Sequence, residues 1–224
     1  MKRGDRRVMS QSSDKIEAGG RRDTPGHLAH RCRVAARLAT LEEAARVLPR
    51  HGGPCTLEIG CGHGHFLADY AEANPEREFI GIDLIGRRLG RANTKADKRG
   101  LRNVTFLKAE GVELLESAPP ELVFNQIFMI FPDPWPKKRH YRRRLVQNRF
   151  LTLLAARSGP GARFYFRTDF EPYFAWTEEK IGGHPDWVLR PGEEWPFESE
   201  SYFQRILGAH QSLVAERVKE NRQV

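Results

Sequence analysis

"LEIGCGHGHFL", residues 57–67, decides the fold. An apolar run that reads as a strand ends in glycines at 60, 62 and 64, and an amphipathic helix pattern follows at once. Glycines at that junction let the backbone turn sharply and come close to a ligand. In an open α/β sheet the ligand then sits beyond the carboxyl end of the strand. The next strand, "EFIGIDL" (78–84), ends near Asp83, where a carboxylate can accept both hydroxyls of a ribose.

Two nucleotide ligands compete for such a loop. A dinucleotide fingerprint needs its third glycine three positions after the second, and His65 stands there instead. Glu58 also lies two residues before Gly60. Its carboxylate would repel a pyrophosphate but attract a sulfonium or an amino group. The pattern Glu58-x-Gly60-x-Gly62-x-Gly64 therefore points to S-adenosylmethionine rather than to NAD.

Outward from the loop, strand and helix patterns alternate. Strands are expected at 55–60, 78–84, 103–109, 125–131 and 162–169, and helices at 65–74, 87–100 and 143–159. Phe170, Tyr173, Phe174, Thr177 and Ile181 mark another helical face after the fifth strand. This alternation predicts an α/β, Rossmann-like, mostly parallel sheet with helices on both faces. Two late β-like segments, 186–191 and 212–219, complete seven strands by adding an antiparallel pair at one edge. Residues 28–48 read as one or two further helices.

Residues 1–24 carry much Gly, Ser, Lys and Arg and few large apolar residues, so a disordered basic tail is expected before a single domain over 25–224. The chain has 224 residues, 37 Lys and Arg against 29 Asp and Glu, and a net charge of +8, which suits a polyanionic partner. Cys32, Cys55 and Cys61 fit no zinc spacing, and the reading is of reduced thiols in a cytoplasmic protein. No stretch is long and apolar enough for a membrane helix. His63 and His65, two apart on a glycine loop, make a poor metal site, and no metal is expected. Nothing in the pattern separates a monomer from a homodimer.

After the fourth strand comes "FPDPWPKKRHYRRR", residues 131–144. Pro132 and Pro134 fix their own φ and restrict the residues before them, so Asp133 has few conformations. A group that must orient a substrate gains from being set in advance. Guanine N7 already offers a lone pair, so a methyl transfer to it needs position and charge stabilisation rather than proton removal. A carboxylate can accept the donors on the guanine Watson–Crick edge. Trp135 reads either as a platform for a base or as a cap on the core. Behind it Lys137, Lys138, Arg139, His140, Arg142, Arg143 and Arg144 read as phosphate contacts. Glu110 reads either as an adenine contact or as an acid at a helix N-terminus. Asp169, in "FRTDFEPYF", reads either as a second site carboxylate or as a helix cap.

With these residues in view, the chain from about Leu57 onward resembles the bacterial tRNA (guanine-N7)-methyltransferase family. The resemblance rests on "FPDPWPKKRHYRRRL", supported by "LEIGCGHG" and "FRTD". It implies a class I methyltransferase that modifies the variable-loop guanine at tRNA position 46 with S-adenosylmethionine. It further implies donor contacts from Glu58, Asp83, Glu110 and Asp133, with Asp133 also the catalytic position, and substrate contacts from Lys137 and Asp169. Where the family carries T-x-[YF]-E, this chain has Ser201-Tyr202-Phe203-Gln204, so Ser201 and Gln204 stand at that substrate position. A methyltransferase with another acceptor, and an RNA-binding subunit without activity, are the rival readings.

Overall fold

Alternating strands and helices build one twisted sheet of seven strands in the order β3-β2-β1-β4-β5-β7-β6. The computed structural model describes residues 24–29, 31–32, 34–36, 39, 55–198 and 209–218. Residues 1–23 of the tail expected over 1–24, most of the early helical pattern, and Ser201 and Gln204 lie outside the described residues. Residues 25–29, 31–32, 34–36 and 39 are helical, as their apolar spacing leads one to expect.

β1 (Cys55–Ile59), β2 (Glu78–Asp83), β3 (Val104–Lys108), β4 (Phe124–Ile130) and β5 (Ser158–Thr168) run parallel. β7 (Gln211–Arg217) pairs antiparallel with β5 on one side and with β6 (Trp187–Leu189) on the other. The antiparallel strand thus lies one place in from the rim.

The two-residue period of a strand sends neighbouring side chains to opposite faces. Phe79, Phe128, Tyr165 and Val214 join one apolar cluster, while Ile80, Ile127, Phe164 and Leu213 join another. The first cluster is closed by α1 (His65–Ala73) and α2 (Gly86–Arg99), which supply Phe66, Leu67, Tyr70, Leu89, Ala92 and Ala96. The second is closed by α3 (Gly111–Ser117), α4 (Asn148–Ala156) and α5 (Glu171–Gly182). Both faces are covered, which is why the central strands read as nearly unbroken apolar runs.

The helix expected over 143–159 is shorter than its pattern. Residues Lys138–Arg143 form a 3₁₀ turn, the chain is extended at Arg144 and Gln147, and α4 begins at Asn148. Side chains take the backbone groups that a helix would have used. The Trp176 indole donates to Val146 O at 2.8 Å, and Val146 N donates to the Tyr173 hydroxyl at 3.4 Å. The fifth strand starts earlier than expected, at Ser158, since Gly159-Pro160-Gly161 is carried as an irregularity opposite Phe124–Gln126 rather than as a turn before the strand.

Candidate active site

The turn after β1 is held to the start of the next crossover by its own amides. Gly60 N and Cys61 N both donate to Ile82 O, at 2.8 and 2.9 Å, and Gly62 N donates to Asp83 Oδ2 at 3.1 Å. The three glycines are all left-handed, with φ of 83°, 56° and 62°. They differ in what surrounds them. A Cβ on Gly60 or Gly62 would meet nothing within 4 Å, so these two border open space. A Cβ on Gly64 would lie 2.7 Å from the Phe106 ring and 2.8 Å from Ala92 Cβ, so this glycine lets α1 start tight against α2 and β3.

That open space is the end of a cleft of about 420 Å³ across the carboxyl ends of β1, β2, β3 and β4. Gly60, Asp83, Glu110 and Asp133 all line it. Asp83 is buried; its Oδ1 accepts from Ile85 N at 2.7 Å and its Oδ2 lies 3.5 Å from Arg88. Glu110 caps α3, with Oε2 accepting from Val112 N at 3.0 Å and Glu113 N at 3.2 Å, while it also faces the cleft. It is thus the acid at a helix N-terminus, and it stands on the cleft wall as well. Glu58 lies beneath the turn, 4% exposed, and is not on the cleft wall. Its Oε2 is buried without a hydrogen-bond partner. Burial pushes its carboxyl up to about 8; Lys95 opposes that rise and Asp83 adds to it.

The segment after β4 forms the facing wall. Phe131 and Trp135 are the two non-glycine residues with positive φ among those described, at 49° and 46°, and each precedes a proline. Left-handed backbone costs a residue with a Cβ about 1–2 kcal/mol, so packing must hold this loop in shape. Asp133 lies between them, exposed, with its neighbour Trp135 on the wall. Arg143 stacks over Trp135, its guanidinium 4.8 Å from the ring centroid, and lines the same cleft. Lys137, Lys138, Arg139 and Arg142 are exposed beyond the mouth and do not line it.

Arg144 departs from the expected basic run. It is 1% exposed, enclosed by Tyr141, Tyr173 and Trp176, and bonded to two backbone carbonyls. It cannot meet a phosphate from there. Asp169 is exposed at the end of β5 and does not line the cleft. It does not cap α5 either, because Phe170 holds that position and the local bond runs from Phe170 N to Thr168 Oγ1 at 3.2 Å. The His63 and His65 rings stand edge to face at 6.2 Å, and no group able to hold a metal occurs among the described residues.

Some cleft residues were not singled out for the site by sequence reading. Leu84 and Ile85, exposed and apolar, follow Asp83 along the rim, and Arg88 reaches back to it from the first turn of α2. Tyr173 closes the floor. A cation five residues after a ribose-type acid is a signal visible in the sequence. Tyr173 reads only as core until its tertiary neighbours are known.

S-adenosylmethionine fits these groups. The glycine turn is open at Gly60, and Asp83 and Glu110 line the cleft where the donor's ribose and base can be held. The strand order, the glycine turn after β1 and the acid after β2 define a class I, Rossmann-like methyltransferase. A family model described as "Putative methyltransferase" matches residues 52–214. TrmN from Thermus thermophilus shares this fold with a TM-score of 0.56 and 22% identity, over 81% of this chain and 48% of that one.

More specifically, the chain belongs to the tRNA (guanine-N(7)-)-methyltransferase family. The member from Chromohalobacter salexigens is 37% identical over 175 residues, 78% of this chain and 71% of the relative. The member from Methylococcus capsulatus is 42% identical over 162 residues, 68% and 70% of the two chains.

Proposed function

We propose that this chain transfers a methyl group from S-adenosylmethionine to N7 of guanine in tRNA, at the variable-loop guanine of position 46. The observation that carries this reading is the placement of Asp133. It is set on a proline-bounded loop, on the wall of the same cleft as Asp83, Glu110 and the glycine turn.

In this reading the donor's ribose lies at Asp83, its adenine by Glu110 and its amino-acid end over Gly60 and Gly62, towards Glu58. The donor supplies an electrophilic methyl carbon. The N7 lone pair attacks that carbon, the sulfur–methyl bond breaks and its electrons stay on sulfur. The guanine gains positive charge as it is methylated, and no proton has to leave first. Asp133 then has two tasks. It accepts donors on the Watson–Crick edge to orient the base, and its negative charge favours the cation that develops. Trp135, braced by Arg143, offers a face on which a base can stack. Outside the mouth, Lys137, Lys138, Arg139 and Arg142 meet the RNA backbone. Asp169, Ser201 and Gln204 are proposed as outer substrate contacts. Such a protein works in the cytoplasm; no described helix is long and apolar enough to cross a membrane.

The test is incubation of unmodified tRNA with methyl-labelled donor, followed by nucleoside analysis. The expected product is 7-methylguanosine, at the variable loop. Folded, donor-binding protein that yields none, or that labels another acceptor instead, overturns the reading.

A further inference from the structure

Arg144 sits at the end of a run of cations yet is withdrawn from solvent, and its bonds show what it does instead. Nε donates to Pro134 O at 3.0 Å and Nη1 to Pro172 O at 2.9 Å. Pro134 directly follows Asp133; Pro172 lies three residues after Asp169. One guanidinium therefore spans the loop after β4 and the first turn of α5. Its plane is confined by Tyr141 at 3.7 Å, Tyr173 at 4.9 Å and Trp176 at 5.5 Å from their ring centroids. The backbone beside it is also tied down, because Gln147 Nε2 donates to Tyr141 O and Arg144 O.

Stability alone is a poor reason for this arrangement. Burying a guanidinium costs several kcal/mol, and an apolar residue of similar size often serves a core equally well or better. No carboxylate pairs with Arg144 among the described residues, and its Nη2 is buried without a hydrogen-bond partner. What an apolar residue could not do is grip two carbonyls, one on the loop after β4 and one in the first turn of α5, in a fixed fork. The Pro134 carbonyl needs such a grip, since the residues on either side of the Pro132–Pro134 segment are left-handed and relax if released.

We propose that Arg144 is a positioning residue for the methyl transfer, a buried clamp that sets Asp133 against the cleft and fixes its loop to the first turn of α5. The inference rests on the role proposed above for Asp133.

The test replaces Arg144 by Met, which keeps length and apolar packing, and by Lys, which keeps the charge but offers no fork. Donor affinity, tRNA KM, kcat and the ¹⁹F spectrum of 5-fluorotryptophan-labelled protein are measured, with the Trp135 line assigned by Trp135→Phe. Expected for Arg144→Met is a kcat lower by about tenfold to a hundredfold, the scale of a misplaced reacting group. Donor affinity and tRNA KM stay within about threefold, and the Trp135 line shifts or broadens. Arg144→Lys recovers part of kcat at most, and decides the matter alone if the Met variant does not fold. An unchanged kcat with an unchanged Trp135 line overturns the proposal. So does a raised tRNA KM at constant kcat, which would mark a phosphate contact, or a proportional loss of donor binding and kcat, which would mark general collapse. If the unaltered protein methylates no tRNA, the proposed function fails, while the fluorine spectra still report whether Arg144 holds the loop.

Discussion

Asp133 and Glu58 are both carboxylates proposed to act on the donor, and their surroundings suit them to opposite work. Asp133 is exposed on a stiff loop, so its value lies in direction. Asp133→Ala is expected to lower kcat by at least about a hundredfold, the usual scale for losing a preorganised electrostatic group. Donor affinity should change far less, and the melting temperature should hold. Retained turnover by nucleoside analysis would remove Asp133 from the mechanism.

Glu58 is instead buried, with its carboxyl pushed up to about 8 by loss of solvent. The folded value lies above the ordinary one, so the stability it contributes is full below about 4.5 and is lost as pH rises through about 8. A bound cation favours the ionised form, so the donor binds with release of a proton, and its affinity rises with pH up to about 8. Glu58→Gln removes that part of the pH dependence. Calorimetry at pH 7 in buffers of different ionisation enthalpy reads the proton directly, and equal release by both proteins would contradict the assignment.

At the scale of elements, the glycine turn divides its labour. Gly60 and Gly62 border open space, while Gly64 sets how closely α1, α2 and β3 approach. Gly64→Ala places a methyl against Phe106 and Ala92 at a left-handed φ. Overpacking and backbone strain together cost about 2–5 kcal/mol, so thermal unfolding should fall by many degrees even without donor. Gly62→Ala meets no neighbour and carries the backbone cost alone. It should melt closer to the parent while binding donor more weakly, as seen by parallel melting and equilibrium dialysis.

The elements were also unequally legible. β1, β2 and β4 lie within a residue of their expected bounds, because their apolar runs end at glycine, acid or proline. The 143–159 pattern misled, since helical spacing cannot reveal that Trp176 and Tyr173 will claim the backbone of Val146. For the same reason Arg144 looked like its neighbours: its burial depends on Tyr173 and Trp176, about thirty residues away in sequence. That Asp83, Glu110 and Asp133 share one cleft wall was legible because each follows or ends a strand at one sheet edge; Glu58, inside β1, stays off that wall. Asp169 shares that edge yet stays off the cleft wall.

For the whole molecule, charge decides how RNA is met. The cations from Lys137 to Arg142 extend past the mouth, and Arg88 and Arg143 stand inside it. Affinity for tRNA should fall steeply with salt, the logarithmic slope growing by roughly 0.7–0.9 per phosphate neutralised. Replacing Lys137 or Arg142 by Ala should weaken binding and reduce that slope by about one, whereas Arg144→Met should leave it unaltered. Filter binding across a salt series separates the two; a flat series would point to an acceptor other than RNA.

The position of β7 bears on how the chain is made. Gln211–Arg217 is the last in sequence of the described strands, yet it is threaded between β5 and β6. While the polypeptide emerges from the ribosome, the flank of β5 has no pairing partner until those residues are out, and Trp187–Leu189 has no strand to pair with. A bare strand flank invites pairing with other chains. A nascent molecule stalled before Gln211 is accordingly expected to attract chaperones, and to be released from them once β7 slides home.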